Sequence, residues 1–369
     1  MREPDDPEAL KSIDRSGMLG LITAYPDLLL EGLNCGWTIK PGEFGKTPSK
    51  VVLVGYGGSA IPGDILRNRF SWKTEVPIEI CRDLALPAYV DEETLIVCTS
   101  YSGETEETLK LLVESSRTGL NVAALTAGGM MAKVCDRFQI PMIRVRGGFP
   151  PRAALPLLLS ALATVLSSYN VVADMRNEIN QTAEELRAQV GRLGPSTDSK
   201  LNPCKKLALD LLDAMPTVYS LERMSSVARR LKDQFNENSK IAAKYDLVPE
   251  ACHNEVEGWS RDWLMKMSPL RFVGIFIRDS KESLDESSRM DFLKERLELA
   301  GLKTHAIRAE ANTDLGRLLL PLNFGDFVSV YLALARGVDP TPLEAIEEIK
   351  VKVETRTREK ERLRRLLSD

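Results

Sequence analysis

The 369-residue sequence predicts a doubly wound α/β protein whose mainly parallel sheets are flanked by helices. Three observations carry this expectation. Short continuous apolar runs alternate with longer helical patterns. Two of those runs open into loops rich in glycine or hydroxyl residues just where a helix begins. The alternation also breaks near residue 194 and then resumes, which suggests two α/β units of similar order.

Taken in order, the stretch from Met18 to Asn34 has the pattern of one or two amphipathic helices. Val51–Val54 reads as a strand, followed by a glycine loop and a helix near Ile61 to Arg69. Pro77–Ile80 and Leu95–Thr99 read as strands, 104–116 as a helix, Asn121–Leu125 as a strand and Met130–Asp136 as a short helix. Arg152–Asn170 and Val172–Leu193 are long helical patterns. The polar break from Gly194 to Ser199 then marks a boundary. Residues 1–193 would hold the N-terminal helices and a first unit, and 194–369 a second unit with the C-terminal helix. Beyond the break, Pro216–Tyr219 reads as a strand, 223–243 as a helix, Phe272–Ile277 as a strand, 284–300 as a helix and Thr304–Arg308 as a strand. A helix over 315–335 and a final one from Thr341 complete the pattern. The tail from Lys350 mixes opposite charges at helical spacing and reads as a solvated helix extension.

Composition narrows the class. Apolar residues make up 43% and charged residues 28%, as in soluble globular proteins. A net charge of −4 without a dense basic patch gives no reason to expect a nucleic-acid partner. No apolar run approaches the roughly 20 residues of a membrane span, so no membrane partner is expected. The acidic start, MREPDDPEALKS, lacks the apolar core of a signal peptide, and a cytoplasmic protein is expected. The six cysteines form no CxxC pair, which argues against structural zinc and a disulfide framework. Two histidines, His253 and His305, are too few for a His-rich metal site, and no metal is expected. His305, between Thr304 and Ala306 in a strand pattern, reads as structural.

The chemistry concentrates in two loops. GYGGSA, Gly55 to Ala60, follows a strand and opens a helix; its glycines let backbone approach a ligand, and Ser59 supplies a hydroxyl. It is neither a GxGxxG dinucleotide loop nor a Walker A loop. TSYSGETEET, Thr99 to Thr108, places Ser100, Ser102 and Thr105 around a glycine before the next helix. Taken alone it is either an anion cup or a hydroxyl-rich N-cap with a capping box. Two such loops after parallel strands lie at one edge of the sheet, where α/β ligands bind. The pair points to a small phosphorylated ligand without a nucleotide.

GYGGSA and TSYSGETEET together resemble the sugar isomerase (SIS) domain. FPPRAAL (Phe149–Leu155), QFNENSK (Gln234–Lys240), CHNEVEGW (Cys252–Trp259) and VDPTPLEAIEEIK (Val338–Lys350) extend the similarity to the archaeal-type bifunctional phosphoglucose/phosphomannose isomerases. These motifs run in family order over most of the chain. The resemblance implies two SIS-type subdomains and interconversion of glucose 6-phosphate, and of mannose 6-phosphate, with fructose 6-phosphate through a cis-enediolate. No cofactor is implied.

The resemblance also implies roles. Phosphate would be held by Gly58, Ser59, Ser100, Ser102 and Thr105. Glu237, otherwise one of many glutamates on a polar helix, is similar to the base that moves a proton between adjacent carbons. His253 is similar to the ring-opening histidine, and an imidazole suits proton shuttling near neutral pH. Arg152 matches the arginine that steadies the enediolate. Lys350 would share ring opening with His253, with Lys352 the alternative, and Thr341 would help position the group that admits both epimers. In that family the histidine reaches the site from a second subunit, which implies a homodimer. The loop Tyr219–Met224 departs from the family by lacking its glycine, so no second phosphate site is expected there. Two rivals remain: a non-catalytic SIS module that senses a phosphosugar, and an SIS isomerase acting on another sugar phosphate.

Overall fold

In the computed structural model, which describes residues 5–40, 47–259 and 271–368, parallel sheets form the centre of each of two units. The first four residues of the acidic N-terminal stretch lie outside the described residues. Asp27–Ile179 and Pro342–Asp369 form a six-stranded unit; Met1–Pro26 and Asn180–Thr341 form a four-stranded one.

The six-stranded unit comprises β1 (Trp37–Ile39), β2 (Lys50–Val54), β3 (Ile78–Cys81), β4 (Thr94–Ser100), β5 (Asn121–Thr126) and β6 (Met142–Arg144). Their order is β1-β6-β5-β4-β2-β3, parallel except for the β1–β6 pair. All seven residues of β4 are buried, because helices cover both faces of a central strand. Each large aliphatic side chain so buried contributes about 1.5–3 kcal/mol. The chain runs from β2 outward to β3 and then returns to the other side of β2 as β4. The loops after β2 and β4 therefore face each other at a topological switch point, the crevice where doubly wound sheets take ligands.

The four-stranded unit comprises β7 (Met215–Leu221), β8 (Lys244–Val248), β9 (Phe272–Asp279) and β10 (Lys303–Ala309), all parallel in the order β10-β9-β7-β8. The predicted helix over 223–243 stops at Glu237, and strand β8 follows a left-handed residue, Lys240 with φ 55°. The apolar spacing continues past the stop and hides it. The three-residue strands β1 and β6 are too short to show a period.

The unit boundaries differ from the expected division at 194. The helix Arg176–Leu193 is held within the four-stranded unit from Asn180 onward, by Thr182 Oγ1 against Thr313 Oγ1 at 2.7 Å and by Gln189 Nε2 donating to Leu320 O at 2.9 Å. Asn323 Nδ2 reaches Ile22 O at 3.4 Å, which ties the early helix Met18–Thr23 to the same unit. The polar break is a fastened turn, since Lys205 Nζ donates to Pro195 O at 3.0 Å and Thr197 O at 2.8 Å. The tail divides at Arg358, φ 53°, into the helices Glu344–Thr357 and Glu359–Ser368. It is more than a solvated extension, because Leu363 is buried in the six-stranded unit's core with Leu112 and Val134.

Two helices are long and apolar enough to cross a membrane by length and composition, Pro151–Ser168 and Asp314–Ala335, contrary to the expected absence of such a run. Arg317 and Asp326 interrupt the second as a continuous apolar run. Both are mostly buried, 72% and 83%, as core helices are, and Asp326 pairs with Arg230 Nε at 3.0 Å.

The glycine-free loop after β7 is filled by charge. Arg223 Nε donates to Asp279 at 2.8 Å and Arg317 Nη1 donates to the other Asp279 oxygen at 2.5 Å; Arg223 also pairs with Glu286. Burial raises the Asp279 pKa, but Arg223, the Lys281 N–H and Arg317 outweigh it and hold the carboxyl below its usual range. A depressed folded pKa contributes stability above the ordinary carboxylate pKa and loses it as pH falls through the folded value. Asp279→Ala is expected to cost about 1–3 kcal/mol at neutral pH by removing the buried carboxylate that the two arginines share, Glu286 and Asp314 remaining as their other partners. Urea unfolding checks this, and the gap between variant and wild type should narrow on acidification. An unchanged midpoint at neutral pH would contradict it.

Candidate active site

The switch-point loops of the six-stranded unit are bound to each other by the side chains singled out in the sequence. Ser59 Oγ accepts the Tyr101 N–H at 3.1 Å, joining the loop after β2 to the loop after β4. Ser100 Oγ donates to Thr105 Oγ1 at 3.0 Å, and Ser102 Oγ accepts the Glu104 N–H at 3.2 Å. Gly103, with φ 68°, has no room for a side chain, because a Cβ would lie 1.9 Å from Gly128 O. Thr105 precedes the helix Glu106–Arg117 but makes no side-chain capping bond. Its hydroxyl is engaged by Ser100, so the loop is not the capping box that its composition also allowed. Uncapped first-turn N–H groups and the helix dipole favour an anion.

Gly58 brings Arg152 to this edge. A Cβ at Gly58 would lie 3.1 Å from both N and Cα of Arg152, so the 3-10 turn Pro151–Ala154 rests directly on the glycine. Arg152 is 2% exposed. Thus Gly58, Ser59, Ser100, Ser102, Thr105 and Arg152 belong to one contiguous edge. Tyr101 completes it. Its hydroxyl donates to Arg146 O at 3.0 Å and accepts the Phe149 N–H at 3.1 Å, fastening the chain that leads into FPPR. Tyr101 has no sequence signal beyond its place inside TSYSGETEET.

Lys350 lies on the helix Glu344–Thr357 of the same unit, which has no buried residue. Lys350 forms no ion pair among the described residues, whereas Lys352 is engaged by Glu348 at 2.5 Å. The helix is tethered beside the phosphate loop by Thr357 Oγ1 donating to Glu106 at 3.4 Å. Burial and a hydrogen bond with Glu354 raise the Glu106 pKa.

In the four-stranded unit, Glu237 is the last residue of the helix Ser225–Glu237 and is half-buried. Its neighbours in NENS fix its backbone. Asn236 Nδ2 donates to Ile241 O at 2.8 Å, Asn238 Nδ2 to Ser329 Oγ at 2.9 Å and Ser239 Oγ to Ser329 O at 2.6 Å. Two turns earlier, Arg230 and Asp326 form a buried pair whose cation attracts Glu237. Thr341 is anchored through its N–H to Asp339 Oδ1 at 2.9 Å.

His253 is exposed at the end of the 3-10 turn Glu250–His253. Two residues on, Glu255 is a hub. Its Oε1 accepts Tyr219 Oη at 2.5 Å and Trp259 Nε1 at 3.1 Å, and pairs with Lys244 Nζ at 2.7 Å. Burial and the Glu255 hydrogen bond push Asp246 up to about 6, while bonds from Asp246, Lys244 and Tyr219 lower Glu255 against its own burial. Glu255 thereby clamps the His253 segment to β7 and β8. That function depends on partners remote in sequence and was not legible there. His305 lies in β10 with Nε2 3.3 Å from Asp210, and burial lowers its pKa.

Comparison with known proteins accords with these features. The family model of the bacterial phospho-glucose isomerase C-terminal SIS domain matches residues 200–353. A bifunctional phosphoglucose/phosphomannose isomerase from Caldicellulosiruptor bescii is 31% identical over 333 residues, 89% of this chain and 96% of the relative. One from Aquifex aeolicus is 32% identical over 306 residues, 82% of this chain and 90% of the relative. Among solved structures, a glucose-6-phosphate isomerase like protein from Thermus thermophilus is similar in fold, with a TM-score of 0.59, 17% identity and coverage of 95% of this chain and 99% of that one.

Proposed function

The chain belongs to the bifunctional phosphoglucose/phosphomannose isomerase family, and on that premise we propose that it interconverts glucose 6-phosphate and mannose 6-phosphate with fructose 6-phosphate in the cytoplasm. The observation that carries this reading is the hydroxyl cup, locked by the Ser59–Tyr101 bond and resting on Arg152 through Gly58. It suits a sugar phosphate and supplies a cation for a developing oxyanion.

The proposed chemistry assigns one task to each residue. Gly58, Ser59, Ser100, Ser102 and Thr105 hold the phosphate. His253 and Lys350 open the ring by moving the anomeric hydroxyl proton to the ring oxygen, leaving a carbonyl and a free hydroxyl. Glu237 then takes the proton from carbon 1 of the open ketose; the electron pair forms the enediolate double bond and the former carbonyl oxygen gains charge. Arg152 stabilises that charge. The protonated Glu237, whose proton exchanges with solvent, returns a proton to carbon 2 while the carbon 1 hydroxyl proton passes to the carbon 2 oxygen, leaving the aldehyde at carbon 1; the face of delivery, set with Thr341, decides between the two aldoses. No redox partner is consumed. A coupled assay with fructose 6-phosphate tests the reading: both aldose phosphates are expected, and absence of both would sink it.

We also propose that His253 acts in the site of a second copy of the chain, a role its exposure supports. The variants Glu237→Ala and His253→Ala should each be inactive. Dissociated and reassembled together in equal amounts, they should recover about a quarter of wild-type activity, because half the dimers are mixed and each mixed dimer has one intact site. No recovery in mixed dimers would contradict the shared site.

A further inference from the structure

Lys240 occupies a backbone position that ordinarily favours glycine. The helix Ser225–Glu237 ends in a reversing turn, in which the Asn238 N–H reaches Gln234 O at 2.8 Å and the Ile241 N–H reaches back to Phe235 O at 3.3 Å. Lys240 precedes Ile241 with φ 55°. Glycine is common at a left-handed residue that follows a helix end, because a Cβ is strained there. A lysine at such a place calls for a reason in its side chain.

Lys240 Nζ donates to the carbonyl oxygen of Glu237 and, at 3.1 Å, to Pro340 O. The first carbonyl belongs to the proposed base, and the second immediately precedes Thr341. Lys240 is exposed, and an exposed lysine usually keeps its rotamer freedom. Here that freedom is given up to tie together two main-chain segments remote in sequence. The ammonium also lies at a helix C-terminus, where a cation is favoured.

We propose that Lys240 is a positioning residue that fixes Glu237 relative to Thr341 and so sets the partition of the enediolate between the two aldose phosphates. This rests on the reaction proposed above. Proton return to carbon 2 selects an epimer by the face from which it arrives, so a small displacement of Glu237 against Thr341 changes the ratio more than it changes substrate affinity.

The discriminating variant is Lys240→Gly, which removes the ammonium and also relieves the backbone. Its thermal midpoint is expected to equal or exceed that of the wild type. With fructose 6-phosphate, kcat should fall about tenfold with KM little changed. The initial ratio of glucose 6-phosphate to mannose 6-phosphate should shift at least about threefold. Lys240→Arg, which keeps a cationic donor, should recover much of both. Wild-type kcat and product ratio in Lys240→Gly would overturn the proposal, as would a lower midpoint with unchanged activity per folded molecule. A wild-type protein that forms neither aldose would instead sink the underlying reaction, and this inference with it.

Discussion

Glu237→Gln is expected to lower kcat with fructose 6-phosphate by roughly 10²- to 10⁴-fold while leaving KM within a few-fold of wild type. The amide keeps the size and polarity of the carboxylate but cannot accept and return a proton. The side-chain bonds of Asn236, Asn238 and Ser239 do not involve the Glu237 carboxylate, so the turn should stay as built. The five residues proposed to hold the phosphate belong to the six-stranded unit and are unchanged by this substitution. Steady-state kinetics on both aldose phosphates and the ketose provide the check. A kcat within about threefold of wild type would remove Glu237 from the mechanism.

Arg152→Ala should have an effect of similar order, about 10²- to 10³-fold in kcat, the usual result of deleting one oxyanion-stabilising donor. Its 2% exposure makes the expectation sharper, since water cannot easily replace a buried cation. The same burial raises a second question, because the variant could be slow merely through misfolding. Thermal unfolding alongside kinetics separates the two, and Arg152→Lys, which retains the charge without the planar fork, should fall between wild type and alanine. A folded Arg152→Ala protein with near-normal kcat would contradict the role.

What the sequence revealed and what it concealed have physical causes. The switch-point loops were legible because their signal is local: apolar strand, glycine or hydroxyl loop, helix start. Ser59, Ser100 and Thr105 are found bonded within that edge. Glu237 has no local distinction on a polar helix and was identified only through the motif around it. Gly194–Ser199 has the composition of a linker, which suggests a division at 194, while Lys205 fastens it from the next helix. Tyr101, Glu255 and Lys240 were missed for a related reason. Each acts through a main-chain or side-chain partner that only the fold brings near, and a left-handed φ at lysine has no signature in sequence. The overrun of the predicted helix past Glu237 and the hidden role of Lys240 are one fact seen twice.

The central claim is that the chain isomerises hexose 6-phosphates by moving a proton between carbons 1 and 2. Fructose 6-phosphate incubated with the protein in D2O through many turnovers, and followed by NMR, tests it most directly. The account predicts glucose 6-phosphate and mannose 6-phosphate with deuterium at carbon 2, and neither over the same period with Glu237→Gln. Aldose formed without deuterium at carbon 2, or formed equally by Glu237→Gln, would contradict it.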